Sequence, residues 1–137
     1  MTWYEKALNA TVEEAFEDEG TDLLHFADIA IPIENETHHV WISDDFPEYN
    51  GGKSLQPHAL GGTPVVVNLL VPDADQWYTT AVGAGAQVVS EIATHPWGAR
   101  AGTIQDPFGH HWTFMTELGP QQQQQEGEGE GEGAGEA

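Results

Sequence analysis

The sequence predicts an α+β fold of two βαβββ modules, the first of which lacks its first strand. The order helix, strand, strand, strand occurs twice along the chain. Trp3-Tyr4 and Trp77-Tyr78 open the two helices, and His38-His39 and His110-His111 open strands that contain a tryptophan. An apolar strand, Pro64 to Val71, precedes only the second series. We therefore expect three strands in the first module and four in the second.

The first module is predicted over residues 1–46. The apolar residues of the stretch from Trp3 to Ala10 share one face of a helix. Three strands should follow, with Pro32 ending the second because proline cannot donate to a sheet ladder. Their predicted ranges are 11–16, 23–31 and 37–43.

The segment 44–64 is predicted to be an irregular connector. It contains two Gly-Gly pairs and two prolines, Pro47 and Pro57. A loop of this length within a small domain usually acts as a lid or joins two modules.

The second module is predicted over residues 64–118. Its apolar first strand, 64–71, should be buried on both faces. Asp73 is placed to cap a helix over 74–84. A turn at Asp106-Pro107-Phe108-Gly109 should connect the last two strands, with Asp106 bonding its own backbone and Gly109 at positive φ. The three strands after the helix are predicted at 87–93, 99–105 and 110–115.

A low-complexity segment of Gln, Glu and Gly follows at 119–137. It has no apolar residue larger than alanine, so it should be a disordered acidic tail outside the 1–118 domain.

Charge and composition exclude several classes of function. The chain carries 23 acidic residues against three basic ones, a formal net charge of −20, which repels nucleic acid and anionic membranes. Adaptation to high salt explains such a surface, since salt screens its self-repulsion. Cysteine is absent, and no stretch approaches the roughly 18 apolar residues of a membrane helix. We therefore expect a cytoplasmic protein.

Five short motifs occur along the chain: DDFPE at 44–48, GGTP at 61–64, VPDAD at 71–75, WGAR at 97–100 and DPFGHHW at 106–112. Together they resemble the vicinal-oxygen-chelate superfamily of glyoxalases, bleomycin-resistance proteins and dioxygenases, and within it the PhnB-like branch. This resemblance implies two curled sheets around an open cavity, with the helices packed outside.

The same resemblance implies where a metal would be held. Metal-using members place a His on the first strand of each module and a Glu or Gln on the last strand. These positions fall here at Val66, at Thr113, and at Trp41 or Val40, while the other His strand is missing. None of these side chains binds a divalent cation well, so we expect neither a metal nor another cofactor.

The candidate cavity residues are Asn68, His111, Thr113, Trp97, Trp41 and His39. Strand alternation places His111 on the same face as Thr113, and places Asn68 on the face of Val66. Asn68 and His111 would orient a polar ligand, or would be hydrogen-bonded without one. Trp97 would close one side of the cavity or plug the end of the sheet.

Two further residues have alternative interpretations. Arg100, the only arginine, either pairs with a carboxylate or meets an anionic ligand. His25 is expected to be a hydrogen-bonded core histidine, the alternative being a general base. His38 and His39 are adjacent in a strand, so they point to opposite faces and cannot share a metal ion.

Three functions remain open. The first is a metal-free protein that binds a small organic ligand. The second is a metal-dependent glyoxalase, dioxygenase or isomerase that uses His39, His111 and a carboxylate. The third is a truncated module that acts through dimerisation, because a missing strand leaves edge groups for a partner. A homodimer is expected, with a small molecule rather than nucleic acid or membrane as its ligand.

Overall fold

Two sheets form the framework of a computed structural model that describes residues 2–119. The first sheet has the order β1-β2-β3 and the second β4-β7-β6-β5. In chain order the elements are α1 (Thr2–Leu8), β1 (Thr11–Glu17), β2 (Leu24–Ile33), β3 (Glu36–Ile42), a 3-10 helix (Pro47–Asn50), α2 (Pro57–Leu60), β4 (Val66–Leu70), α3 (Ala74–Gly83), β5 (Gln87–His95), β6 (Ala99–Gln105) and β7 (His111–Glu117).

The two sheets repeat one topology, and the predicted α+β fold is confirmed. β1, β2 and β3 are antiparallel neighbours, as are β5, β6 and β7. β4 is added parallel to β7, from the pair Val66–His111 to the pair Leu70–Met115. Within residues 2–119, nothing takes the equivalent place beside β3. The first sheet therefore has three strands and the second four, as the internal repeat predicts.

A single core joins the two modules. The buried face of α1 carries Trp3, Tyr4, Ala7 and Leu8, and α1 packs against α3. In β7, alternate residues Trp112 and Phe114 point into this core, as the period of two predicts. Burial of these apolar surfaces is the main favourable contribution to folding.

The helix and turn signals of the second module are confirmed. The Asp73 side chain accepts a hydrogen bond of 3.2 Å from the Gln76 backbone N–H at the start of α3. The Asp106 carboxylate accepts from the backbone N–H groups of Phe108 and His110, at 2.9 Å each. Gly109 has a φ of 96°. These features depend on neighbouring residues alone, which explains why local rules predict them.

The prediction that Pro32 ends β2 is wrong. β2 continues to Ile33, and Pro32 is paired with Thr37 of β3. The pairing of β2 with β1 reaches only to Ala30. Pro32 therefore lies where β2 has a neighbour on one side alone, and the missing N–H leaves the other ladder intact.

The prediction that the first strand of the second module is buried on both faces is also wrong. Val66 and Leu70 are exposed, whereas Leu69 is buried. β4 is an edge strand, and only one of its faces lies against the helices. Its continuous apolar run thus reflects exposed apolar surface rather than a central strand.

The connector is more regular than predicted. The 3-10 helix and α2 both begin at a proline, and they end at Gly51 and Gly61, with φ of 64° and 81°. Proline at the start and glycine after the end are ordinary helix signals, so the sequence contained this information. The predicted tail lies outside the described residues, except for Gly119. No helix in the described part of the chain is long and apolar enough to cross a membrane.

Candidate functional site

A cavity of about 700 Å³ lies between β3, β4, the connector and the beginning of β7. Val40, Trp41 and Ile42 line it from β3, and Val65 and Val67 line it from β4 and the residue before it. The volume falls within the range of small-molecule sites in proteins. The edge strands β3 and β4, one from each sheet, therefore both contribute to its wall.

The connector docks onto the DPFG turn beside this cavity, and Pro57 and Phe108 both line it. His58 Nε2 lies 3.0 Å from the Pro107 carbonyl oxygen. A Cβ atom on Gly109 would lie 2.7 Å from Pro57 Cβ, so this contact requires glycine. The turn thus has a tertiary role in addition to reversing the chain.

Aromatic rings form much of the cavity wall. Phe46 and His25 are stacked, with ring centroids 4.7 Å apart and planes 7° apart. Tyr49 lies 5.7 Å from Phe46, and it remains 70% exposed. Trp41 stacks on Phe26 at 4.8 Å and is 67% exposed. These rings offer flat apolar surface to a ligand.

Carboxylates lie beside the aromatic wall. Asp44 Oδ2 accepts a hydrogen bond of 2.7 Å from the Leu24 N–H. The Asp45 carboxylate accepts from the Ser54 hydroxyl and the Leu55 N–H. These bonds hold both side chains in place. Among the described residues that line the cavity, none is lysine or arginine, so its wall is negatively charged.

Three histidines also line the cavity. His25 Nε2 lies 2.7 Å from Asp18 Oδ1, and His111 Nε2 lies 3.2 Å from Gln105 Oε1. His110 is exposed immediately before β7 begins. These imidazoles are hydrogen-bonding groups for a ligand.

A buried hydrogen-bond network joins Asp106 to Tyr4 and Trp112 behind the cavity wall. Asp106 Oδ2 accepts a hydrogen bond of 2.7 Å from the Tyr4 hydroxyl and one of 2.9 Å from Trp112 Nε1. Tyr4 and Trp112 both reach the cavity wall. Burial raises the pKa of Tyr4 well above the usual range, and the charge of Asp106 and its hydrogen bond raise it further. Tyr4 is therefore a neutral donor that holds this carboxylate.

The structure brings only two of the six candidate residues, Trp41 and His111, to the cavity. Asn68 and Thr113 are paired across β4 and β7, outside it. Thr113 Oγ1 lies 2.6 Å from Thr103 Oγ1, and Asn68 Nδ2 donates to the Val66 carbonyl at 3.5 Å. These two residues thus bond within their own sheet.

His39 and Trp97 also lie outside the cavity lining. His39 Nδ1 is 2.8 Å from Asp28 Oδ1 on the neighbouring strand. Trp97 stacks on His95 with ring centroids 4.2 Å apart and is 67% exposed. Trp97 therefore belongs to a separate exposed stack at the end of β5.

Arg100 and His25 both have carboxylate partners in the structure. Arg100 forms a two-pronged contact with Asp75, in which Nε and Nη2 each lie 3.0 Å from a carboxylate oxygen. Hydrogen bonding to Arg100 lowers the pKa of Asp75. His25 is bonded to Asp18, as expected, but it is only partly buried and faces the cavity.

Sequence reasoning missed His25, Phe46 and Tyr49 as cavity residues. Phe46 lies in the DDFPE motif, and Tyr49 follows that motif directly. The length of the connector and the motif within it were the available signals. Their convergence on His25 depends on how the connector folds back.

The positions implied for metal ligands do not fit a divalent cation. Val66 and Trp41 offer no donor atom that such an ion prefers. The Thr113 hydroxyl is bonded to Thr103. Among residues 2–119, no group of three or more His, Asp or Glu side chains is placed to hold a metal ion. His111 lines the cavity, whereas His39 lies against Asp28 outside its lining.

The sequence of this chain is similar to those of known proteins. The sequence model of the Glyoxalase/Bleomycin resistance protein/Dioxygenase superfamily matches residues 1–114. An uncharacterized protein of Mycobacterium bovis is 49% identical over 74 residues, which cover 54% of this chain and 49% of that protein. The match to an uncharacterized protein of Mycobacterium tuberculosis has the same identity and covers 44% of it. The matched segment thus spans about half the length of these curated relatives.

Solved structures share the fold at low sequence identity. TioX from Micromonospora sp. ML1 is 20% identical, with a TM-score of 0.56 over 86% of this chain and 85% of that one. A gene product of Arabidopsis thaliana is 23% identical, with a TM-score of 0.59 over 82% of each chain. A superfamily member from Sphaerobacter thermophilus is 19% identical, with a TM-score of 0.52 over 84% of this chain and 83% of that one.

Proposed function

We propose that this chain, which belongs to the Glyoxalase/Bleomycin resistance protein/Dioxygenase superfamily, binds a small organic ligand in the cavity beside β3, without the metal set of metal-using members. The observation that carries the proposal is the cavity of about 700 Å³, into which stacked aromatic rings and hydrogen-bonding side chains converge. The short motifs support placement in the PhnB-like branch. Because one fold hosts many functions, the proposal rests on the site.

Different side chains bind the flat apolar part and the polar atoms of the ligand. Trp41 and Tyr49 offer ring surface for stacking, while His110 and His111 offer hydrogen bonds to polar atoms of the ligand. The buried hydrogen bond from Tyr4 to Asp106 holds this part of the cavity wall in place and does not itself bind the ligand. Ring stacking combined with hydrogen bonding to polar atoms is the activity that we assign to this cavity.

Fluorescence titration with two planar dyes tests this proposal. The cation 9-aminoacridine and the anion anthracene-9-carboxylate have ring systems of similar size. At least one should bind saturably with equimolar stoichiometry, and Trp41→Ala should weaken that binding. Trp97→Ala is the matched control, because both indoles are 67% exposed and only Trp41 lines the cavity. Failure of both dyes to bind, or equal loss in the two variants, would contradict the proposal.

Metal analysis tests the metal-dependent alternative. Protein purified without a histidine tag should contain no stoichiometric Mn, Fe, Ni or Zn. A tightly bound metal whose removal by a chelator abolishes dye binding or a catalytic activity would favour the enzyme alternative. His39→Ala and His111→Ala would then both lower the metal content.

We propose self-association as a second candidate function, because the four sheet edges differ. Register shifts interrupt the pairing of β1 with β2 and of β5 with β6. Both β1 and β5 also carry glutamate. β3 pairs with β2, and β4 pairs with β7, without register shifts. β4 carries no charged residue. Bulges and charges protect edges against pairing with another chain. The β4 edge, which has neither bulge nor charge, is therefore suited to a second copy.

Sedimentation of matched variants tests this second candidate. Val66 on β4 and Val88 on β5 are 42% and 47% exposed. The wild type should be a dimer, which Val66→Lys should dissociate and Val88→Lys should leave intact. A monomeric wild type, or a dimer that survives Val66→Lys, would rule out association through the β4 edge.

A further inference from the structure

We infer that the cavity selects a planar organic cation. This inference rests on the proposed function and narrows it to one class of ligand. It follows from three features of the cavity: exposed aromatic faces, carboxylates held beside them, and a lining without lysine or arginine among the described residues. Each feature favours positive charge on the ligand.

The aromatic rings are held in place before a ligand arrives. Trp41 is stacked on Phe26 with planes 18° apart, and Tyr49 lies against Phe46. Most of the surface of Trp41 and Tyr49 nevertheless remains exposed. The face of an aromatic ring carries partial negative charge and attracts cations, tryptophan most strongly. A flat cation gains both this attraction and stacking area.

The carboxylates reinforce this preference. Asp44 and Asp45 lie two and three residues after the end of β3 and line the same cavity as Trp41. The hydrogen bonds from the Leu24 N–H and the Ser54 hydroxyl orient the two carboxylates without neutralising them. Lys53, in the same connector, does not line the cavity. The positive charge that balances these carboxylates therefore has to be carried by the ligand.

The remaining polar groups do not reverse this balance. His25, His110 and His111 line the cavity, and His25 already lies against the Asp18 carboxylate. A neutral imidazole accepts a hydrogen bond from a ligand ammonium or ring N–H. With a net charge of −20 on the whole chain, an anionic ligand meets repulsion from the surface as well.

The matched dyes separate cation selectivity from general binding. At pH 8, 9-aminoacridine should bind the full chain at least tenfold more tightly than anthracene-9-carboxylate. Rising salt should weaken the binding of the cation, because ions screen the attraction to the carboxylates. Equal affinity, or tighter binding of the anion, would overturn the inference while leaving the proposed function in place. Binding of neither dye would overturn both.

Single substitutions assign the selectivity to the residues named. Asp44→Asn keeps an oxygen that accepts from the Leu24 N–H but loses the charge, so it should weaken binding of the cation roughly three- to thirtyfold. Its effect on the anion should be smaller or opposite. Asp22→Asn, in the exposed turn before β2, is the matched control and should change neither affinity. Circular dichroism verifies that both variants are folded, and equal effects of the two substitutions would overturn the role of Asp44.

Discussion

The Tyr4 hydroxyl donates a hydrogen bond of 2.7 Å to Asp106 Oδ2, joining the first helix to a turn 102 residues later in the chain. The other oxygen of Asp106 organises the turn itself. One carboxylate thus links the end of the second module to the beginning of the first. Because both side chains are buried, this contact affects stability more than an exposed hydrogen bond would.

Replacing Tyr4 with phenylalanine should lower the free energy of unfolding by about 2 kcal/mol, since it removes a hydrogen bond to a buried charged acceptor. Urea denaturation measures the change. Tyr49→Phe is the matched control, because Tyr49 is exposed and should change stability by less than about 0.5 kcal/mol. Equal effects of the two substitutions would contradict a structural role for the Tyr4–Asp106 bond.

Alkaline pH should destabilise the wild type more than Tyr4→Phe. The pKa of Tyr4 is raised in the folded protein, so its phenol stays neutral there, whereas it ionises in the unfolded chain near pH 10. The stabilising contribution of Tyr4 is therefore complete below about pH 10 and is lost as pH rises further. Urea denaturation at pH 8 and at pH 11 measures this change. Parallel losses in the two proteins would show that Tyr4 titrates normally.

Gly102→Ala should be strongly destabilising. A Cβ atom at this position in β6 would lie 2.9 Å from the Ile92 Cα and 2.9 Å from Tyr78 Cδ2, so β5 or α3 would have to move. Overpacking of this kind typically costs about 1–3 kcal/mol. Gly83→Ala, which meets open space in α3, should instead be neutral or stabilising by up to about 1 kcal/mol. Thermal unfolding of the two variants compares these effects directly.

The Asp75–Arg100 pair should contribute little, and only when Asp75 is ionised. The pKa of Asp75 is lowered in the folded state by its hydrogen bonds to Arg100. Its contribution is therefore present above the unfolded value of about 3.9 and is lost as pH falls below it. Half of the Asp75 side chain is exposed, so we expect Asp75→Asn to cost roughly 0.5 kcal/mol or less at pH 7. The difference from wild type should vanish near pH 2, and a difference that persists there would indicate a packing effect.

Salt should raise the stability of this chain. With a formal net charge of −20, repulsion between carboxylates opposes the compact state in dilute buffer, and added ions screen it. The melting temperature should rise steadily from dilute to multimolar potassium chloride. Equal melting temperatures at the two extremes would contradict adaptation to high salt.

Local patterns were sufficient for most of the fold. The period of two in β7 is enough to put Trp112 and Phe114 on one face of the strand, and the cap at Asp73 marked the start of α3. Such signals involve residues a few positions apart, so they can be read without the tertiary structure. The apolar run in β4 misled because an edge strand can expose apolar side chains, which composition alone does not distinguish from central burial.

The sequence by itself determined the two repeated modules, the strand alternation and the DPFG turn, because each depends on short-range periodicity and turn chemistry. Only the tertiary structure decided that His25, Phe46 and Tyr49 line one cavity while Asn68, Thr113 and Trp97 do not. That outcome depends on where the connector folds back against β2 and the turn. Contacts such as Tyr4–Asp106 and His58–Pro107 join residues far apart in the chain, and no local pattern encodes them.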